Sequence, residues 1–107
     1  MEISYEDTLE LANRVRNLEE FRVWLLEFED PASALAWLDA GFHLRDGLKW
    51  KWDGDFDDPL EAKEWHDAGF RPEEAYRWSV GGFEVDEALD LKKRGFTPER
   101  ARRELRR

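Results

Sequence analysis

The 107-residue sequence has no cysteine, no glutamine, two asparagines and one methionine. The missing cysteine excludes disulfides, thiolate metal sites and cysteine nucleophiles, and leaves the redox compartment open. No apolar run approaches the roughly 18 residues that a membrane span requires. The opening MEISYEDTLE is acidic and lacks the basic start and apolar core of a signal peptide, so the expected location is the cytoplasm. Few thermolabile residues beside abundant Glu and Arg fit a thermophilic source, and a GC-rich genome would leave the same mark. What the chain has in quantity is aromatic and charged. Six Trp, seven Phe and 40% charged residues describe a globule with a heavily charged surface, not a disordered segment.

The net charge of −9 is unevenly spread. Residues 1–91 carry 9 basic and 24 acidic groups, net −15, whereas residues 92–107 carry 8 basic and 2 acidic groups, net +6. The body should repel nucleic acid and anionic membrane. A nucleic-acid partner is therefore not expected except through the basic tail 92–107, and no membrane partner is expected.

Alignment of the chain with itself gives the organising pattern. The stretches ALAWLDAGF (34–42), AKEWHDAGF (62–70), AYRWSVGGF (75–83) and ALDLKKRGF (88–96) share A-x-x-[WL]-x-x-x-G-F, with a degenerate copy, GLKWKWDGDF, at 47–56. The later Gly-Phe steps recur every 13 residues, and a truncated copy begins at Ala101. If Gly69 is the left-handed residue just past a helix end, Trp65 and Phe70 occupy the two positions that touch in a Schellman cap. Gly41, Gly82 and Gly95 set Trp37, Trp78 and Leu91 in the same relation to Phe42, Phe83 and Phe96. Counting forward, Phe70 and Ala75 form the staple pair of the next helix, so one Phe closes a helix and opens another. All four prolines (31, 59, 72, 98) fit a first helical position, where the missing N–H costs nothing. Asp58 with Glu61 reads as a capping box. Helices of about ten residues do not persist alone in water, so they must pack through the Ala/Trp/Phe stripe.

Residues 5–29 read as one kinked or two short helices, with Asn17 and Glu20 as a restart cap. The run VWLLEF (23–28) could pass for a strand, but no turn-linked partner strand exists elsewhere, so it reads as helix. The expected fold is all-α: one helical-repeat domain over 1–107, with N-terminal helices in 1–29. A compact stack of about five short helices in roughly 13-residue repeats fills 30–107, ending in a basic helix.

The segment Gly69-Phe70-Arg71-Pro72-Glu73-Glu74-Ala75 resembles the ubiquitin-associated (UBA-like) three-helix domain, where a Met-Gly-Phe loop joins the first two helices. It departs in having Ala68 where that family usually has Met, and in repeating Gly-Phe at every helix end. The array is also similar to short Trp/Gly-Phe tandem helical repeats of uncharacterised bacterial and phage proteins. Neither likeness transfers a binding residue or a function.

Catalytic signatures are missing. His43 and His66 stand singly; His66-Asp67 has the order of a metal-dependent hydrolase motif without further ligands. No nucleophile elbow, phosphate loop or dinucleotide turn is present. No enzymatic activity and no cofactor are expected. Asp53, Asp55, Asp57, Glu61 and Glu64 match positions 1, 3, 5, 9 and 12 of a calcium loop, but position 6, which demands Gly, is Asp58. An acidic loop that favours the following helix dipole accounts for these residues, and no metal site is expected.

The expected function is a non-enzymatic protein-binding adaptor or regulator. The alternative is an acidic inhibitor or nucleic-acid mimic, of the kind phages encode, that blocks a nucleic-acid-processing protein. Residues 43–58 break the repeat and add a second aromatic, Trp52, at the register position that Asp39 and Asp67 hold elsewhere. Trp52 beside Lys49, Lys51, Asp53 and Asp55 has the make-up of an interface anchor with a polar rim. The competing expectation is that the insertion turns Trp52 inward as core.

Overall fold

The computed structural model describes residues 5–105, and every regular element among them is helical. In chain order these are α1 (Tyr5–Arg14), α2 (Leu18–Phe28), α3 (Pro31–Asp39) and α4 (Leu44–Leu48), then a π-helical turn (Lys49–Asp53). After it come α5 (Pro59–Asp67), α6 (Pro72–Val80), α7 (Val85–Lys93) and α8 (Pro98–Leu105). The chain forms two compact units, one up to Leu48 and one from Lys49 onward. The repeat pattern begins at residue 30, yet α3 packs on α1 and α2, and the Phe28 ring lies 5.5 Å from Trp37. Repeat register and packing unit therefore do not coincide.

In the first unit the chain breaks between α1 and α2, where Asn17 Oδ1 accepts the Glu20 N–H at 2.9 Å as the sequence predicts. Segment 23–28 is helix. Leu11, Trp24 and Phe28 face the core, whereas Leu9, Leu18 and Leu26 are exposed. Gly47 fits against Phe28, Phe42 and Trp24, where an added Cβ would meet all three at 3.4–3.6 Å. After α2 the chain turns sharply at Glu29 (φ 74°, ψ −47°), across which the Asp30 N–H donates to the Phe28 carbonyl at 2.9 Å. This is a γ-turn of the rare, strained hand. Asp30 then caps α3 by accepting the Ser33 N–H at 2.8 Å.

The cap geometry recurs at four helix ends. The N–H groups of Phe42, Phe70, Phe83 and Phe96 donate to the carbonyls of Trp37, Trp65, Trp78 and Leu91 at 2.9–3.2 Å, across glycines with φ between 86° and 98°. Each glycine also donates to the carbonyl three residues earlier at 2.9–3.0 Å, completing the Schellman pair. Ring contacts follow: Trp37–Phe42 5.1 Å, Trp65–Phe70 4.9 Å and Trp78–Phe83 5.3 Å between centroids.

Helix starts are equally regular. Ala34, Gly47, Ala62, Ala75, Ala88 and Ala101 each donate the first helical bond to the carbonyl four residues back, at Asp30, His43, Asp58, Arg71, Glu84 and Thr97. The five alanines are fully buried, because a methyl group is what the close approach of short helices leaves room for. The side chains that cap these starts vary. Thr97 Oγ1 accepts from the Arg100 N–H, while Glu74 and Glu87 reach back to the N–H of Arg71 and Glu84. Asp58 accepts from Leu60 rather than from Glu61, so the box expected there is a single bond to the second helical residue. Steps between those six capping positions are 13, 15, 13, 13 and 13 residues. Two extra residues thus fall between His43 and Asp58.

In the second unit α6 packs on the π-helical turn and on α8. Trp50, Phe56, Trp65, Phe70, Trp78 and Phe83 fill its core with the alanines between them. Among the described residues no helix is long and apolar enough to cross a membrane.

Candidate protein-binding site

The irregular stretch 49–58 shows where its extra residues go. In the regular units Phe follows the core Trp by five residues; Phe56 follows Trp50 by six. The backbone takes up that residue by widening into the π turn, closed by the Gly54 N–H donating to Lys49 O at 3.1 Å. Phe56 still donates to the Trp50 carbonyl at 3.3 Å, and the rings still meet at 5.7 Å. The second extra residue, Asp57, lies between Phe56 and the capping Asp58. Asp55 holds the left-handed place that glycine holds elsewhere (φ 57°), a conformation that Asp tolerates better than most residues. Gly54 is fixed by close approach: a Cβ there would sit 2.7 Å from the Trp50 carbonyl oxygen and 2.8 Å from the Phe56 ring. π-helical turns of this kind occur frequently at functional sites.

Five of the six tryptophans are at most 3% exposed; Trp52 is 61% exposed. Its register position, two residues after the core side chain, is also exposed at Asp39, Asp67, Val80 and Lys93. The π turn therefore keeps Trp52 on the outer face, and the inward rotation that would have made it core does not occur. Lys51 lies alongside, with Nζ 5.3 Å from the centre of the Trp52 ring and 3.9 Å from Asp57 Oδ1. Its stem is largely buried, so the ammonium is delivered to the indole face by a packed side chain. Lys49, Asp53 and Asp55 are exposed around the same turn.

Leu60, Tyr76, Val80 and Leu105 are further exposed apolar side chains of this unit that the sequence did not single out. Val80 was open to detection, since it stands in the register position of Trp52. His66 and Asp67 meet at 3.1 Å on the surface, with Lys63 3.6 Å from the carboxylate. The hydrogen bond from His66, aided by Lys63, holds the Asp67 carboxyl below its ordinary value. Among the described residues no three His, Asp or Glu side chains group as metal ligands. Arg94 and Arg100 flank the Phe96 ring, and Arg100 pairs with Glu104 at 2.7 Å. Arg106 and Arg107 of the basic tail lie outside the described residues. No protein-family model, curated protein or solved structure matches this chain.

Proposed function

We propose that the chain is a non-enzymatic, cytoplasmic protein-binding adaptor or regulator that engages its partner through Trp52, rimmed by Lys49, Lys51, Asp53 and Asp55. The observation that supports this reading is the contrast among the tryptophans. Five are spent on the core, and the sixth stands in the open at a position where two other units carry Asp. A large, stiff indole with charged neighbours is the kind of residue that dominates binding energy in protein interfaces.

The test is a Trp52→Ala variant. It should melt within a few degrees of the parent, because the residue is 61% exposed, and should lose about 2 kcal/mol of partner affinity, the usual scale for such an anchor. Affinity capture from the source lysate with parent and variant baits, followed by titration of the captured protein, reads both quantities. A variant that loses several kcal/mol of stability, or captures the same protein equally well, overturns the proposal.

A second reading, an acidic inhibitor or nucleic-acid mimic, is favoured by the net −15 of residues 1–91. Mimicry of that kind weakens steeply with salt, whereas an indole-anchored interface does not. A salt series on the captured complex separates the two.

A further inference from the structure

Two adjoining clefts of about 260 and 570 Å³ run across the second unit between the loop before α5 and the faces of α5 and α6, sharing Asp58, Glu61 and Ser79. Leu60, Tyr76 and Val80 supply exposed apolar surface, at 64, 39 and 55% exposure. Six carboxylates line the pair, and among the described residues no Lys or Arg does. Glu61 and Glu64 have no cation within 4 Å among the described residues.

The complement of this surface is on the same chain. Arg102 and Arg103 of α8 are exposed and have no carboxylate within 4 Å among the described residues, unlike Arg100. Pro98 and Ala101 anchor α8 in its own unit, where Leu105 lines a different cleft with Phe83 and Leu91. No α8 residue lines the acidic clefts.

We propose that the acidic groove of one copy receives the Arg102/Arg103 face of α8 from a second copy, giving head-to-tail self-association. The chemistry favours arginine over a generic cation. Its stem covers apolar surface such as Val80 and Leu60, its planar head stacks on a ring such as Tyr76, and it forks onto carboxylates. Groove and tail are different patches, so the contact is heterologous, and repetition extends a chain or closes a ring.

Sedimentation equilibrium of the full chain tests this. At low ionic strength, about 0.02 M, the parent should exceed its 12.8 kDa monomer mass increasingly with concentration, and should return to monomer at about 0.5 M salt. A tail variant (Arg102→Ala, Arg103→Ala) and a groove variant (Glu61→Gln, Glu64→Gln, Val80→Ser) should each remain monomeric. Mixed in equal amounts they retain one functional contact and should stop at the dimer. Arg102→Lys with Arg103→Lys keeps the charge and should still weaken association by roughly fivefold or more. Thermal melts establish that each variant is folded, and the mixing experiment shows that both monomeric variants keep one working surface. A parent that stays monomeric at every concentration overturns the proposal, as does a mixture that stays monomeric or a variant that associates like the parent. If the parent is monomeric but a peptide of residues 97–107 binds the groove, the occupant is a basic segment of another protein. Trp52 is untouched throughout, so these outcomes leave the partner reading to its own test.

Discussion

Replacing Gly69 by valine isolates what a cap glycine contributes. Its φ is 94°, and a Cβ placed on it meets no atom within 4 Å. Crowding is therefore absent, and the penalty is the backbone's own. Left-handed geometry costs an L-residue about 1–2 kcal/mol, with β-branched residues worst placed to bear it. Against this, valine removes unfolded-state freedom, which offsets about 0.4–1 kcal/mol. If the cap instead opens, the Phe70 bond to Trp65 and the edge-on ring contact at 4.9 Å go with it, a pairing worth about 0.5–1.5 kcal/mol beyond burial. Because a β-branched residue sits at the upper end of that strain, the net loss should be about 1 kcal/mol, a melting temperature lower by about 4–8 °C for a chain of this size. Gly82→Val should behave alike, since its φ is 86° and its surroundings are equally open. Asp55→Gly is the internal control: the backbone there is already left-handed, so stability should change by no more than about 0.5 kcal/mol. Circular-dichroism melts and urea titrations of the three variants provide the measurement. Unchanged melting temperatures in both valine variants would refute the cap register on which the repeat assignment rests.

Other expectations follow from single residues. Glu29→Gly should raise stability by about 1 kcal/mol in a urea titration, because it releases a strained γ-turn; a loss would mean the turn is not held as described. Gly54→Ala, at a position without a positive φ, should cost about 1–3 kcal/mol through the 2.7 Å approach to the Trp50 carbonyl, read as a fall in the urea midpoint. Asp67 should titrate below 3.8 by carboxyl NMR, and return toward it in His66→Ala. Because its folded value is depressed, the stability it contributes is present above the unfolded value and is lost as pH falls through the folded one. No pH dependence from this residue is expected near neutrality.

The helices and their seams were legible because each seam rests on local chemistry. Proline at the first helical position, Gly-Phe past the last, and Trp four residues before the Gly depend on sequence neighbours alone, and the structure has all of them. What was hidden depends on how the backbone takes up extra length. Nothing in KWKWDGDF says whether a surplus residue widens a helix or lengthens a loop; here one does each. The exposure of Trp52 follows from that choice and so stayed open between surface and core. Leu9, Leu18 and Leu26 are apolar residues that the packing of α1 and α2 leaves outside, which composition does not encode. Glu29 was hidden because its turn is imposed by the neighbouring helix ends, against its own preference. Arg71 and Glu84 are not side chains that mark a helix start by themselves; the acceptors for their N–H groups are Glu74 and Glu87, three residues on.

Each seam phenylalanine that closes one helix stands immediately before the residue that caps the next, and this governs how the chain acquires structure. A helix of nine residues gains little by forming alone, because nucleation fixes several residues before any bond repays the loss of freedom. Once Phe70 docks on Trp65, the chain is already turned toward Arg71, whose carbonyl accepts the first bond of the next helix from the Ala75 N–H, so the following segment starts with its first turn positioned. Order should spread from seam to seam as in a one-dimensional lattice, each step closing only a short loop. Such a chain should fold rapidly from whichever seam forms first, and lose a unit's helix by fraying inward from its ends.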